Sequence, residues 1–73
     1  MDKIDLHGMR HADAEAALIR KIESMWCSGN ALEIVTGNSD GMKSVVRKVL
    51  TEYELGWIEG DAQNKGYIKT TIT

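Results

Sequence analysis

Hydrophobic and polar residues alternate with two different periods along this chain, and each change of period marks a new element. Residues 3–7 alternate strictly, which predicts a half-buried β-strand. From about His11 the apolar residues recur at spacings of three and four, as in an amphipathic helix, until glycine and asparagine at 29–30 provide a natural end. The apolar side of this helix comprises Ala14, Ala17, Leu18, Ile22, Met25 and Trp26.

The rest of the chain predicts one more helix and three more strands. The second helix has the clearest helical period in the sequence, because its apolar residues all fall on one side. Its apolar stripe comprises Met42, Val45, Val46, Val49, Leu50 and Tyr53. The strands are predicted at 31–36, 55–61 and 67–73, with connections at 37–41 and 62–66.

This order of elements restricts the fold. A strand, a helix and a second strand form a right-handed unit whose strands run parallel, so the first three strands should share one direction and the fourth should return as an antiparallel hairpin. We therefore expect a single α/β domain over residues 1–73, an α+β two-layer sandwich with a four-stranded mixed sheet and both helices on one face. Asp5 and His7 are expected on the opposite, more exposed face. The aromatic residues Trp26, Trp57 and Tyr67 are expected in the core, and the alternative for Trp57 and Tyr67 is stacking on nucleic-acid bases.

The predicted topology brings three connections to one edge of the sheet, where the first three strands end. These connections are residues 7–11, 36–41 and 62–66. Open α/β sheets bind ligands along that edge, because loops and the first turns of helices meet there. The polar residues that this edge would collect are His7, Arg10, His11, Asn38, Ser39, Lys43 and Lys65.

Composition narrows the function classes. Hydrophobic residues make up 42% of the 73 residues, which suffices for one core. The net charge of −2 excludes a protein that coats nucleic acid through bulk positive charge, so such a contact must use a local group of basic residues. No apolar run is long enough to cross a membrane, and we expect no membrane partner. The single Cys27 favours a reducing cytoplasm, and one cysteine with two histidines excludes the usual structural zinc sites.

Asp5 and His7 stand on the same side of the first strand, just before Gly8. The carboxylate could hold one ring nitrogen of His7 so that the other acts as a base or acid, or both side chains could ligate one divalent cation. Alternatively, Asp5 pairs with Lys3 or with a neighbouring strand, and His7 accepts a loop amide. Gly8 allows a sharp turn or the close approach of a ligand.

The segment TGNSDGMK (residues 36–43) lies between a strand and a helix. Its hydroxyl groups, its lysine and the free amides of the helix start would suit a phosphate group. It is not a P-loop, because only three residues separate Gly37 from Gly41 and Met42 stands where that motif has lysine. The alternative is ordinary capping of the second helix by a serine or aspartate side chain.

Three basic residues, Lys43, Arg47 and Lys48, follow on the second helix. They form either a track for phosphate groups that leads away from the loop edge, or a solvated helix face. The sequence leaves both interpretations open.

The stretches IDLHGMRHADAEAAL (residues 4–18) and LEIVTGNSDGMKSVVRKVL (residues 32–50) resemble the small MutS-related (Smr) domain. The hallmarks of that family are a Leu-Asp-x-His-Gly motif ending the first strand, an alanine-rich first helix and a loop before the second helix that reads Thr-Gly-x-Gly or His-Gly-x-Gly. The match runs from Ile4 to about Ile72 and has the same order of elements. Ser39 stands where the family has its second loop glycine, which we expect to change the shape of the loop.

The resemblance implies a two-layer sandwich, similar to the carboxy-terminal domain of a bacterial translation initiation factor, that binds nucleic acid. In several members it also implies an endonuclease, which nicks or hydrolyses DNA or RNA. By that resemblance Asp5 and His7 are the candidate catalytic residues. Together with the loop-edge argument, the candidate nucleic-acid-binding residues are Gly8, Arg10, His11, Thr36, Gly37, Asn38, Ser39, Lys43, Arg47 and Lys65. One histidine and one aspartate alone supply little charge stabilisation for phosphodiester hydrolysis, so either a divalent cation such as Mg²⁺ or Mn²⁺, the candidate cofactor, or a second subunit would have to help.

Two further interpretations stay open. A non-catalytic adaptor would use the same edge to bind nucleic acid or a protein partner, which the acidic balance of the chain favours. A homodimer formed through Trp26 or Trp57 would enlarge the small core. Salt dependence separates phosphate binding from an apolar protein contact, because only the former weakens steeply as salt rises.

Overall fold

The computed structural model describes residues 2–60 and 66–72. It confirms the predicted order of strand, helix, strand, helix, strand, strand. Neither helix in these ranges has the length and apolar character needed to cross a membrane. The elements are β1 (Asp2–Asp5), α1 (His11–Ser24), β2 (Ala31–Val35), α2 (Asp40–Glu52), β3 (Trp57–Glu59) and β4 (Tyr67–Thr71).

The four strands form one mixed sheet in the order β1-β2-β4-β3. β1 pairs with β2 in parallel, and β4 pairs in the antiparallel sense with both β2 and β3. The first three strands therefore share one direction and the fourth runs against them, as predicted. The hairpin places β4 in the middle of the sheet, between β2 and β3, which leaves β3 at one edge and β1 at the other.

Both helices pack on one face of the sheet and share a single core with it. Alternate residues of the two central strands, Leu32, Ile34 and Ile68, are fully buried against the helices. The helices contribute the buried side chains of Ala14, Leu18, Ile22, Met42, Val46, Val49 and Leu50. The opposite side of the sheet, here called the open face, carries the other alternate residues, and no helix of the described chain packs on it. This is the predicted two-layer sandwich.

The third strand is shorter than predicted, because the residues before it end helix α2. Glu54 adopts a positive φ of 57°, and the main-chain N–H of Leu55 donates to the carbonyl of Leu50 at 2.9 Å. The N–H of Glu54 also donates to the carbonyl of Thr51 at 3.1 Å, which completes a Schellman motif. Leu55 is buried as part of this helix end. Extended pairing therefore starts only at Trp57.

The prediction that all three of these aromatic residues are core residues is wrong for two of them. Trp26 follows the end of α1 and is 47% exposed, with its ring edge-on to Tyr53 at a centroid distance of 5.6 Å. Tyr67 lies on the open face, because its neighbour Ile68 occupies the core. Only Trp57 packs against the core, and it is half-buried.

Candidate functional site at the loop edge

The chain leaves β1 through a tight turn. The N–H of Leu6 donates to the carbonyl of Val35 at 2.8 Å, so this turn starts directly beside the end of β2. The N–H of Met9 donates to the carbonyl of Leu6 at 3.1 Å, and Gly8 has a φ of +80°. A positive φ at the third of four residues is the requirement of a type II turn, which explains the glycine. A side chain at Gly8 would meet nothing within 4 Å, so this side of the turn is open.

The Asp5 carboxylate stabilises this turn. Its Oδ1 accepts a hydrogen bond from the main-chain N–H of His7 at 2.9 Å. The carboxylate therefore bonds to the main chain of His7 and has no recorded bond to its imidazole within the described residues. The arrangement holds the backbone that carries His7, but it leaves the tautomer of the ring free.

The His7 ring packs against the second loop. A Cβ atom placed on Gly37 would stand 2.8 Å from Cδ2 of His7, which is closer than van der Waals contact allows. Gly37 also has a φ of +67°, a conformation that side-chain-bearing residues rarely adopt. Glycine at position 37 thus has two roles: it allows the positive φ of the loop, and it leaves room for the His7 ring. The imidazole itself stays exposed to solvent.

His11 makes a similar contact with a second glycine of the same segment. It is the first residue of α1, and its ring lies against Gly41, the second residue of α2. A Cβ on Gly41 would stand 2.7 Å from Cε1 of His11. Both histidines of the chain therefore rest on glycines of the segment between β2 and α2, and both remain exposed.

Thr36 and Ser39 fix the shape of that segment. Thr36 is 1% exposed, and the one proton of its hydroxyl is shared between the carbonyl oxygens of Gly37 at 2.9 Å and Gly66 at 3.2 Å. The main-chain N–H groups of Thr36 and Gly37 also donate to the carbonyl of Gly66, at 2.8 and 3.0 Å. Thr36, predicted as a ligand contact, therefore anchors the loop to the start of β4 from a buried position.

Ser39 is the N-cap of α2. Its φ of −79° and ψ of 116° are ordinary extended values, and its Oγ accepts the N–H of Met42 at 3.1 Å. No positive φ is needed at this position. Ser39, which stands where the family has its second loop glycine, therefore caps the helix. Capping was one of the two interpretations of this segment that the sequence left open.

The basic residues of α2 differ in what they contact. Lys43, in the first turn, makes no ion pair within 4.0 Å to any described residue. Arg47 donates two hydrogen bonds of 2.6 Å to the two carboxylate oxygens of Glu59, which also accepts the indole N–H of Trp57 at 3.1 Å. Lys48 pairs with Glu15 at 3.1 Å. Lys43 is therefore the only one of the three without an ion pair within 4.0 Å to a described residue, although its charge also helps to lower the pKa of Glu59.

The bidentate pair has an electrostatic consequence for Glu59. The hydrogen bonds from Arg47, and next those from Trp57, lower the pKa of Glu59 from an ordinary value of 4.5 to about 2. The same contact raises the pKa of Arg47. Both groups thus stay charged, and Arg47 reaches a phosphate only by giving up or sharing this carboxylate.

The remaining candidates lie around these two loops. Arg10 is exposed at the N-cap of α1 and makes no ion pair with a described residue. Asn38 is exposed in the turn before α2. Lys65 lies outside the described residues. The structure therefore brings the first two predicted connections together, and Gly66, the one described residue of the third, accepts hydrogen bonds from Thr36 and Gly37 of the second.

The described residues do not supply a ligand set for the candidate cation. They contain no group of three or more His, Cys, Asp or Glu side chains that could hold a metal ion. Two carboxylates lie near this edge: Asp5 already accepts the N–H of His7, and Asp40 lies in the first turn of α2. We derive no step through a metal.

Sequence reasoning missed one residue that shapes this region and assigned a second to the wrong side of the sheet. Glu59 determines the state of Arg47, and no local pattern could reveal a partner twelve residues away. Tyr67 lies on the open face. Here a signal was present, because strict alternation with the buried Ile68 and Thr70 places Tyr67 on the other side of β4.

The fold and this edge define a class: a small two-layer α/β domain whose first strand ends in a histidine-bearing turn that packs on a glycine loop. The crystal structure of the human small MutS-related domain superposes with a TM-score of 0.76 at 23% identity, covering 96% of this chain and 99% of that one. The solution structure of the B3BP Smr domain gives a TM-score of 0.75 at 25% identity, covering 99% of this chain and 78% of that one. The chain therefore has the Smr-domain fold, and the resemblance seen in its sequence is confirmed at the level of the fold. No protein-family model and no curated protein matches the sequence.

Proposed function

We propose that this protein binds nucleic acid at the loop edge, with phosphate groups held beside the start of α2. The contact between His7 and Gly37 carries the proposal, because it joins the Asp-Leu-His-Gly turn to the Thr-Gly loop, two motifs about thirty residues apart. The similarity in fold to solved Smr domains supports it.

The charges at this edge suit a local contact with phosphate. The ammonium of Lys43 and the guanidinium of Arg10 make no ion pair with a described residue, and the exposed imidazoles of His7 and His11 lie against glycines of the same edge. The first amides of α2 add the positive end of a helix dipole. Asp5 and Asp40 oppose them, and the whole chain carries a net charge of −2. Binding should therefore be modest and strongly weakened by salt.

Binding is tested with labelled single- and double-stranded DNA and RNA over a series of salt concentrations. Lys43→Ala should weaken binding and lower the slope of log affinity against log salt by about 1, because one phosphate contact is lost. Lys48→Ala is the matched control, since it removes the same charge from the same helix, and that charge is already paired with Glu15 of α1. Equal effects of the two variants, or no binding by the unaltered protein, would contradict the proposal.

We further propose that His7 is the general acid–base of a phosphodiester cleavage at this edge. Its imidazole is exposed, and its position is fixed by Gly37 and by the turn that Asp5 holds. The cleavage assay compares His7→Ala with His11→Ala, with chelator and with added Mg²⁺ or Mn²⁺. Loss of cleavage only in His7→Ala, with binding retained, is expected. Asp5→Asn keeps an oxygen that can accept the same N–H, so any loss in that variant reports the charge of the carboxylate.

A non-catalytic adaptor is the second candidate function. The pairing of Arg47 with Glu59 and of Lys48 with Glu15 favours it, because few basic groups are left for phosphate. Binding without cleavage under every cation condition identifies an adaptor for nucleic acid. Absence of nucleic-acid binding directs the search to a protein partner or a second copy of the chain, for which Trp26 supplies exposed aromatic surface.

A further inference from the structure

The open face of the sheet carries an aromatic ring that the core does not use. Tyr67 opens β4, and the residues that alternate with it, Ile68 and Thr70, are buried on the helix side. The Tyr67 side chain therefore stands on the side where the described chain has no helix. It is partly exposed there and is absent from the set of side chains that pack against the core.

Tyr67 is continuous with the loop edge. In the sheet register it lies beside Val35 of β2, and Val35 lies beside Asp5 of β1. These three residues form one row across neighbouring strands, at the end of β1 and β2 where the His7 turn begins. Two strand spacings, roughly 10 Å, separate the main chains of Asp5 and Tyr67. One or two nucleotides of an extended strand cover such a distance.

A positive charge accompanies the ring. The ammonium of Lys69, two residues further on the same face of β4, lies over one face of the Tyr67 ring at 5.8 Å from its centroid, so a stacked base would use the other face or displace the ammonium. Lys69 makes no ion pair within 4.0 Å to a described residue. Glu33, its register partner on β2, is paired instead with Lys3 at 3.7 Å. The next row of the open face therefore offers an unpaired cation beside an aromatic ring.

We propose that a single strand of nucleic acid held at the loop edge continues onto the open face, where one base stacks on Tyr67 and Lys69 contacts the backbone. This inference rests on the function proposed above and adds a substrate class to it. A ring beside a cation on an exposed sheet suits unpaired bases, because each base offers a face for stacking and each phosphate a charge. A duplex keeps its bases stacked inside, so it gains nothing from Tyr67.

The test measures the anisotropy of a labelled single strand of about twelve nucleotides and of the matching duplex, the length being within the range that such surfaces bind. Tyr67→Ala should weaken single-strand binding roughly 10-fold, and Tyr67→Phe, which keeps the ring, should bind like the unaltered protein. Thr71→Ala is the control, because Thr71 lies on the same face of the same strand, farther from the loop edge. Thermal unfolding of each variant verifies that it folds.

The outcomes separate this inference from the function on which it rests. If Lys43→Ala weakens binding and Tyr67→Ala does not, the loop edge binds nucleic acid and the open face has no part in it. If the unaltered protein binds no nucleic acid, both proposals are wrong. Equal affinity for the single strand and the duplex also overturns the inference. As a second readout, amide resonances of Val35, Tyr67 and Lys69 should shift when the single strand is added, and shifts confined to residues 36–43 would contradict the proposal.

Discussion

The imidazole of His7 and the main chain of Gly37 are in direct contact, so close that a methyl group on Gly37 would stand 2.8 Å from Cδ2 of the ring. This contact positions the end of β1 against the loop that follows β2. It is possible only because β1 and β2 are parallel neighbours whose connections leave the sheet at the same edge. The chemistry proposed for His7 depends on this one packing relationship.

Gly37→Ala should therefore lower the free energy of unfolding more than a glycine-to-alanine substitution that causes backbone strain but no collision. The positive φ costs about 1 kcal/mol for a residue with a Cβ, and the collision with His7 adds to it, so we expect a loss of about 2 kcal/mol in the free energy of unfolding. Gly29→Ala is the matched control, because Gly29 has a φ of +74° and nothing within 4 Å of its missing side chain. Urea denaturation measures both. Equal losses would show that the His7 contact is absent in solution.

Ser39 gives a second prediction about the same loop. Its Oγ accepts the N–H of Met42, so Ser39→Ala should lower the free energy of unfolding by about 1 kcal/mol, and Ser39→Gly by only a few tenths. Ser44→Ala, at an exposed position inside α2, serves as the control and should be neutral or slightly stabilising. A neutral Ser39→Ala would mean that another group caps the helix.

The ion pair between Arg47 and Glu59 predicts a dependence of stability on pH. Because the pKa of Glu59 is about 2 when folded and near 4.5 otherwise, its contribution is fully present above about pH 5 and is lost as the pH falls toward 2. The carboxylate is about one third exposed, so solvent screening limits this contribution to about 1 kcal/mol. The gap in unfolding free energy between the unaltered protein and Glu59→Gln should thus shrink between about pH 5 and pH 2. A gap that stays constant over this range, or one that high salt does not reduce at neutral pH, would contradict the pairing.

The same pair should restrain nucleic-acid binding. Glu59→Gln frees Arg47, which lies one turn beyond Lys43 on α2, so affinity should rise several-fold and the salt slope should steepen by about 1. Glu15→Gln removes a carboxylate of the same charge and frees Lys48 instead. It controls for the change in net charge. If both variants tighten binding equally, the gain comes from overall charge, and Arg47 is not part of the interface.

Much of the fold followed from periodicity. The helical spacing of Leu18 and Ile22, and of Val46 and Leu50, correctly predicted which sides of the helices are buried. The position of β4 in the middle of the sheet could not be predicted in this way. A hairpin requires only that β4 neighbour β3, and the choice of side depends on which strand can satisfy the exposed main chain of β2.

The location of the site could be predicted from the sequence, but most of its side-chain contacts could not. Parallel strands were enough to bring the turn at His7 to the loop at Gly37. The bond from the N–H of His7 to Asp5 was not predictable, because one carboxylate can accept an amide, a ring or a lysine, and the geometry of the turn decides among them. The pairing of Arg47 with Glu59 likewise depends on how α2 packs over β3.

The last prediction concerns His11 and Gly41. Replacing Gly41 with alanine should be less stabilising than usual, because the His11 ring lies where the new methyl group would go. Replacing glycine with alanine within a helix usually stabilises a protein by roughly 0.5–1 kcal/mol. Here the added methyl group would stand 2.7 Å from Cε1 of His11, so the exposed ring must swing away before the gain is realised. Gly41→Ala should therefore stabilise the His11→Ala protein more than it stabilises the unaltered protein.

A double-mutant cycle measured by urea denaturation isolates this coupling, which we expect to be about 0.5 kcal/mol. The matched cycle uses His7→Ala with Gly41→Ala and should be additive, because the three atoms nearest to a Cβ on Gly41 all belong to His11. Additivity in both cycles would mean that His11 does not rest on Gly41 in solution. If the first cycle shows the coupling, Gly41→Ala displaces the His11 ring without removing it. A loss of nucleic-acid affinity in Gly41→Ala would then show that the position of this imidazole at the loop edge matters for binding, and not merely its presence.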